Sequence, residues 1–107
     1  MKLLTYTMTR KKRSDRNYVL YSVTCDGQDY IGLTVARGRA YLRSVKVRVQ
    51  KHLSRAKCEN KDWAFCEALR EAENVQYEVI EVVRGRKNAY SRERELIAEY
   101  APKLNTF

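Results

Sequence analysis

The stretch Asn17-Tyr-Val-Leu-Tyr-Ser-Val-Thr-Cys-Asp-Gly-Gln-Asp-Tyr-Ile-Gly-Leu-Thr34 decides the fold of this chain. Two runs rich in Val, Tyr, Ile and Thr flank the dipeptide Asp26-Gly27. An Asp-Gly pair accepts positive backbone φ angles and closes tight hairpins between β-strands. The pattern therefore predicts a β-hairpin whose strands lie near residues 17–25 and 28–34.

The charge of the chain is segregated along the sequence. The 107 residues carry a formal net charge of +9. Eight Lys or Arg residues and no carboxylate lie between Tyr30 and Cys58, whereas seven of the 13 acidic residues lie from Glu59 to Glu81. A basic face is typical of a polyanion-binding protein, because each cation on a phosphate releases condensed counterions. The alternative is a charged surface that serves solubility alone.

Length, cysteines and apolar runs restrict the class of protein. A chain of 107 residues is long enough for one domain with a modest core. No apolar run approaches the ~20 residues that span a bilayer. The three cysteines form no Cys-x-x-Cys pair, which favours apolar core positions in a reducing compartment. We therefore expect a single cytoplasmic domain.

Residues 1–16 differ in character from the rest of the chain. An apolar alternation at residues 4–8 is consistent with a short edge strand, and the basic run at 10–13 with a phosphate-contacting arm or a solvated loop. We treat 1–16 as a basic arm or edge strand and 17–107 as the domain.

The segment 41–56 carries two competing patterns. Val45, Val47 and Val49 alternate as in a strand. A longer stripe at helical spacing is formed by Leu42, Val45, Val49, Leu53 and Ala56. The longer pattern favours a helix.

The remaining elements complete an α+β plan. We expect a helix at 60–72, a strand at 75–83 and a helix at 89–100, capped by Asn88 and ended by Pro102. The residues expected to point inward from these helices are Trp63, Cys66, Leu69, Ala89, Leu96, Ile97 and Tyr100. The predicted fold is a three-stranded antiparallel sheet flanked by helices.

Glu93 lies within the apolar stripe of the last predicted helix. A carboxylate in such a stripe is unfavourable unless it is paired or binds a cation. It therefore either binds a metal ion or lies at the margin of the stripe in a salt bridge with an arginine. On the first helix, Arg48 and His52 are four residues apart and share one face.

These motifs together resemble the GIY-YIG nuclease family over residues 18–105. Tyr30-Ile31-Gly32 is similar to the second half of the family signature, and Val19-Leu20-Tyr21 looks like a first half without its glycine. Arg48-x-x-x-His52 is similar to the family's Arg-x-x-x-His/Tyr helix. Glu93-x-x-Leu96-Ile97, followed by Tyr100-x-Pro102-x-Leu104-Asn105, looks like the family's ending of a catalytic Glu and then an Asn.

Two assignments within this resemblance stay open. Only eight residues separate Tyr21 from Tyr30, so either Tyr18 or Tyr21 fills the first tyrosine position. Strand alternation places Tyr18 and Tyr21 on opposite faces, so only one of them can face the site. The segment before Arg48 is long, and the alternatives to it as the functional arginine are Arg37, Arg39 and Arg43.

The resemblance implies metal-dependent hydrolysis. Glu93 would bind one divalent metal ion, magnesium, which stabilises charge on the scissile phosphate. Arg48 would contact the same phosphate with its planar fork. Tyr21 or Tyr30 would position or deprotonate the attacking water, and this requires nearby cations to lower a tyrosine pKa from ~10. The resemblance implies two further site residues. His52 would assist by hydrogen bonding or proton transfer, and Asn105 would order the site through its amide.

The expected function is that of a metal-dependent endonuclease on duplex or branched DNA, either weakly specific or steered by a partner protein. The cations expected to contact DNA are Arg37, Arg39, Arg43, Lys46, Lys51 and Arg55. The alternative is a non-catalytic nucleic-acid-binding protein on the same scaffold with an impaired site. A third class is a basic protein that binds an acidic protein surface.

Overall fold

A three-stranded antiparallel sheet organises the domain. A computed structural model of the chain describes residues 16–58 and 64–105. In chain order the elements are β1 (Asn17–Cys25), β2 (Gln28–Val35), α1 (Tyr41–Cys58), α2 (Ala64–Glu71), β3 (Val75–Arg84) and α3 (Arg86–Tyr100). The strand order is β2-β1-β3, with both pairs antiparallel. The predicted α+β class and the hairpin–helix–helix–strand–helix plan are confirmed.

Two sets of expectations fall wholly or partly outside the described residues. The arm or edge strand predicted at 1–16 is outside the described residues except for its last residue. Trp63, which was expected to point inward, is also outside them. Among the described residues, no helix has the length and apolar character needed to cross a membrane.

The Asp26-Gly27 turn sets the register of the hairpin. Both residues have positive φ angles, 48° and 85° respectively. Cys25 therefore pairs with Gln28, and the ladder continues until Tyr18 pairs with Val35. The local chemistry of one dipeptide thus fixes which side chains of the two strands lie opposite each other.

β1 is the central strand, and both of its faces are buried. The face that carries Val19, Tyr21 and Val23 forms the larger core with residues of α1 and α2. The members of this core from those two helices are Val45, Val49, Phe65, Cys66 and Leu69. On the other face, Leu20 packs with Ile31 and with Leu96 of α3. The sheet is therefore a layer between α1–α2 on one side and α3 on the other.

Two residues predicted to point inward are exposed instead. Leu42, in the first turn of α1, is 56% exposed and lies beside Lys46 and Tyr77 rather than over the core. Tyr100, in the last turn of α3, is 64% exposed. It lies at the edge of an open groove whose other lining residues include Ser22, Glu78 and Ile80, so no further element of the described chain covers the ring.

The start of α3 also differs from the prediction. The helix begins at Arg86, not at residue 89, and its N-cap is Gly85 with φ 90° and no side-chain cap. The Asn88 side chain donates instead to the carbonyl of Arg84 at 3.3 Å. Glycine occupies this position because a positive φ is unfavourable for other residues.

Candidate active site

Two tyrosine rings meet over a glycine at the centre of the hairpin. Tyr21 on β1 lies directly opposite Gly32 on β2. A Cβ atom on residue 32 would lie 2.5 Å from the Tyr21 hydroxyl oxygen and 2.8 Å from Cε1 of Tyr30. The ring centroids of Tyr21 and Tyr30 are 6.4 Å apart. A glycine is therefore required for the two rings to occupy these positions.

The structure distinguishes the two candidates for the first tyrosine position. Tyr18 and Tyr21 are both buried, at 5% and 1% exposure. Tyr18 pairs with Val35 at the far end of the hairpin and lines a groove together with Tyr90 and Arg48. Only Tyr21 adjoins Tyr30, so Tyr21 and not Tyr18 belongs to the candidate site. We refer to Tyr21, Tyr30 and the side chains packed on them as the cluster.

His52 joins the tyrosines from α1. Its Nε2 atom lies 3.2 Å from the Tyr21 hydroxyl, and its ring centroid is 5.9 Å from that of Tyr30. The ring of Phe65 stacks on Tyr30 at 3.8 Å and contacts His52 edge-on at 5.1 Å. Packing on three sides thus holds the imidazole against the Tyr21 hydroxyl.

Arg48 lies one helical turn before His52 and reaches the same hydroxyl. A hydrogen bond and the positive charge of Arg48 both act on Tyr21. The Nε atom of Arg48 is buried and has no hydrogen-bond partner among residues 16–58 and 64–105. A buried donor without a partner is unfavourable by about 1–3 kcal/mol, and an anion bound here would relieve it.

The pKa values of both tyrosines are raised in the folded chain, whereas a tyrosine base would require a lowered one. Burial, together with the negative charge of Glu93, raises the pKa of Tyr30 to about 12. The pKa of Tyr21 is also raised, by burial first and then by the neighbouring Tyr30, and Arg48 opposes this only in part. Desolvation disfavours a phenolate more strongly here than one arginine favours it. Both tyrosines are therefore protonated at neutral pH.

His52 is held in its neutral form. Burial, followed by the positive charges of Arg48 and Arg55, lowers the pKa of His52 to about 4. A neutral imidazole can accept a proton at neutral pH, whereas an imidazolium cannot. An anion that neutralised the two arginines would raise this pKa and make His52 a stronger base.

Glu93 approaches the cluster from α3. Its negative charge contributes to the raised pKa values of Tyr30 and Tyr21. Burial raises the pKa of Glu93 itself, and Arg94 opposes this. Glu93 has no ion pair within residues 16–58 and 64–105, since the adjacent Arg92 bonds other carboxylates. Within the described residues Glu93 is not salt-bridged to an arginine, and its assignment as a metal ligand stays a prediction.

Among the described residues, Glu93 is the carboxylate that this site offers to a metal ion. No cluster of three or more His, Cys, Asp or Glu side chains suited to a metal occurs among the described residues. Magnesium is held in many phosphate-handling sites by one or two carboxylates, with water and substrate oxygens as the other ligands. A half-buried Glu93 without an ion pair in the described chain fits that donor set.

Asn105 acts on the backbone of β2 rather than on the cluster directly. Its amide nitrogen donates to the Ile31 carbonyl, and its amide oxygen accepts from the Ile31 N–H, each at 2.8 Å. The neighbouring Leu104 N–H donates to the Asp29 carbonyl at 3.0 Å. The tail thus pairs with the edge strand on both sides of Tyr30, and Asn105 positions Tyr30 and Gly32.

A groove rich in cations begins at Arg48, and we call it the cationic groove. It has a volume of about 650 Å³. The cations that line it are Arg16, Arg37, Arg48, Lys51 and Arg86, and no carboxylate is among the described residues that line it. Of the six cations predicted to contact DNA, Arg37 and Lys51 lie on this groove.

The other predicted DNA contacts lie elsewhere. Arg43 and Lys46 share a second groove with Tyr77, on a different face of α1. Arg39 is exposed in the turn before α1, and Arg55 is exposed at the end of α1 nearest His52. The structure therefore places two of the predicted cations on the cationic groove, two on the second groove and two on neither.

No protein-family model, curated protein or solved structure matches this chain. Its function must therefore be inferred from the arrangement of its own side chains.

Sequence reasoning missed three residues that border this arrangement. Phe65, which stacks on Tyr30, is in the segment predicted as a helix but was not among the inward positions, although it lies four residues before Leu69. Arg86 and Tyr90 line the cationic groove from α3. Their spacing of four residues places them on one helical face, but only the tertiary structure shows that this face lines the same groove as Arg48.

Proposed function

We propose that this chain is a metal-dependent endonuclease of the GIY-YIG type, which hydrolyses phosphodiester bonds in DNA. The observation that carries the proposal is that the charges of Arg48 and Glu93 both act on one pair of buried tyrosines, and that Arg48 also lines a groove with four other cations. A polyanion in the groove would bring a phosphate to Arg48, and Glu93, a carboxylate without an ion pair in the described chain, acts on the same two tyrosines.

The phosphate would bind to Arg48. The guanidinium presents several donors in one plane, and its buried Nε atom has no partner among the described residues. An arginine in this state pairs with two phosphate oxygens at once. Its positive charge would also stabilise the additional negative charge that develops on the phosphate during hydrolysis.

Proton transfer would pass from water through Tyr21 to His52. The attacking water forms the new phosphorus–oxygen bond while its proton moves to the Tyr21 oxygen, and the Tyr21 proton moves to the neutral Nε2 of His52, 3.2 Å away. The phosphorus–oxygen bond to the leaving strand breaks, and the leaving oxygen takes a proton from solvent. In this scheme Tyr21 stays protonated overall, which is consistent with its raised pKa.

Glu93 would hold the metal ion, with water and phosphate oxygens as the other ligands. Magnesium bound there would supply electrostatic stabilisation of the scissile phosphate and of the leaving oxygen. Burial raises the pKa of Glu93, so the carboxylate is more readily protonated than an exposed one. We therefore expect activity to fall on the acid side as Glu93 takes up a proton.

The decisive experiment is cleavage of supercoiled plasmid and of a branched duplex in magnesium. Wild-type protein would be compared with Glu93→Gln and with an EDTA control. A matched control is Glu99→Gln, which removes an exposed carboxylate on the same helix. We expect cleavage by wild type and by Glu99→Gln only. Cleavage that survives in Glu93→Gln would contradict the proposed metal ligand.

The non-catalytic alternative is favoured by one observation, the raised pKa values of both tyrosines. Neither tyrosine can serve as a phenolate base at neutral pH. A chain that shifts the mobility of these DNAs but cleaves none of them, in magnesium or manganese, would be a nucleic-acid-binding protein on this scaffold.

A further inference from the structure

An exposed aromatic ring lies on the wall of the cationic groove. Tyr90 of α3 is 44% exposed and lines the groove together with Arg86. The guanidinium carbon of Arg86 lies over the Tyr90 ring, 5.6 Å from its centroid. Among the described residues the other strongly exposed tyrosine is Tyr100, which lies on a different groove without a cation.

This combination of groups matches the chemistry of an unpaired nucleotide. Proteins that bind single strands place cations along the phosphates and aromatic rings against the bases. Bases inside a duplex are stacked on each other and cannot reach a ring on the protein surface. The volume of about 650 Å³ lies within the range of about 300–1,000 Å³ typical of sites for one small molecule. It suits one or two nucleotides rather than a base-paired segment.

The position of Tyr90 connects this surface to the proposed reaction. Arg86, Tyr90 and Glu93 follow at spacings of four and three residues, so they share one face of α3. A base on Tyr90 would therefore belong to a nucleotide about one helical turn from the Glu93 carboxylate. Arg48 borders the same groove from the opposite helix.

We infer that Arg86 and Tyr90 form a stacking site for an unpaired base, and that the preferred ligand is a strand with a single-stranded or branched segment next to the scissile phosphate. This inference rests on the proposed function for the phosphate site and names the class of substrate that the site takes. Stacking on Tyr90 would contribute affinity that does not depend on the base sequence, because every base has a flat π face.

The test measures binding without metal, so it does not depend on cleavage. Fluorescence anisotropy in EDTA would compare a labelled single strand with the blunt duplex of the same sequence. We expect Tyr90→Ala to weaken single-strand binding by about 5- to 150-fold, because base–aromatic stacking contributes about 1–3 kcal/mol. Duplex binding should fall less than threefold. Tyr90→Phe should bind like wild type, and Tyr100→Ala is the matched control on the same helix.

Two further measurements separate stacking from loss of bulk or of fold. Tyr90→Leu keeps an apolar side chain but no aromatic face, so it should behave as Tyr90→Ala. A 2-aminopurine base placed in the strand should be quenched by wild type and Tyr90→Phe, and not by Tyr90→Leu. Equal losses for single strand and duplex, or none in either, would overturn the inference even if Glu93-dependent cleavage is found. An RNA strand that binds as well as DNA would show that the site reads the base and not the sugar.

Discussion

The hydroxyl oxygen of Tyr21 on β1 lies 3.2 Å from Nε2 of His52 on α1, in the interior between sheet and helix. Burial disfavours charge on both partners, since it raises the pKa of Tyr21 and lowers that of His52. The pair is therefore neutral at neutral pH, with a proton donor on the tyrosine and an acceptor available on the imidazole. This arrangement suits the transfer of one proton from the tyrosine to the imidazole.

Tyr21→Phe should abolish most of the cleavage activity while the fold remains. The substitution removes the hydroxyl that His52 and Arg48 contact, but it keeps the buried ring. General acid–base groups contribute about 10²–10⁴-fold to rates, so we expect a loss in that range with DNA binding retained. Plasmid cleavage and anisotropy measure the two quantities. Tyr100→Phe is the control, and full activity in Tyr21→Phe would exclude the proton path.

His52 should make the fold sensitive to acid. Its pKa is lowered from 6.5 to about 4 in the folded state, so between these pH values the unfolded chain binds a proton that the folded chain does not. Stability should therefore fall as the pH drops through this window, by at most about 3 kcal/mol. Urea unfolding of wild type and of His52→Gln isolates the effect. A pH dependence that is the same in both proteins would contradict it.

Gly32→Ala should disable the site through the two tyrosines. The added methyl would meet the Tyr21 hydroxyl oxygen at 2.5 Å and Tyr30 at 2.8 Å, so one ring must move. Overpacking of this kind reduces the free energy of unfolding by about 1–3 kcal/mol, and cleavage should be lost. Gly27→Ala is the matched control, because its φ of +85° is strained but no atom lies within 4 Å. It should lose stability and keep activity.

The two grooves that contain predicted DNA-binding cations should differ in their contribution to DNA binding. Arg37 and Lys51 line the cationic groove, whereas Arg43 and Lys46 lie on the other surface. Each phosphate contact contributes about 0.9 to the slope of log affinity against log salt on duplex DNA. In a Glu93→Gln background, replacement of both Arg37 and Lys51 by alanine should reduce this slope by about 1.8, since two phosphate contacts are lost. A larger reduction from alanine at Arg43 and Lys46 would contradict this prediction, because it would mean that DNA binds the second groove.

Asn105→Ala should loosen β2 from the tail. The variant leaves the N–H and carbonyl of Ile31 without the two 2.8 Å hydrogen bonds they now make. We expect the free energy of unfolding to fall by about 1–3 kcal/mol, and hydrogen exchange at the Ile31 amide to accelerate. Asn88→Ala removes one exposed hydrogen bond of 3.3 Å and should change stability by less than about 0.5 kcal/mol. Equal effects would argue against the positioning role of Asn105.

Local chemistry made much of the fold predictable. The Asp26-Gly27 dipeptide predicted the hairpin, and the strand bounds agree within one residue. The apolar stripe over 41–56 correctly favoured a helix over a strand. The last helix was placed correctly but its start was not, because a glycine and not Asn88 occupies the N-cap. Patterns that extend over several turns were therefore reliable, and single terminal positions were not.

The sequence by itself determined the hairpin, the order of the elements and the set of polar residues from which a site could be built, because turn preference and hydrophobic period act between neighbours in the chain. Tertiary structure decided that Tyr21, and not Tyr18, adjoins Tyr30, and that both tyrosines keep their protons. It also brought Phe65 onto Tyr30 and Asn105 onto Ile31. These outcomes depend on cross-strand register and on burial by distant segments, and neither quantity is contained in the spacing of residues along one strand or helix.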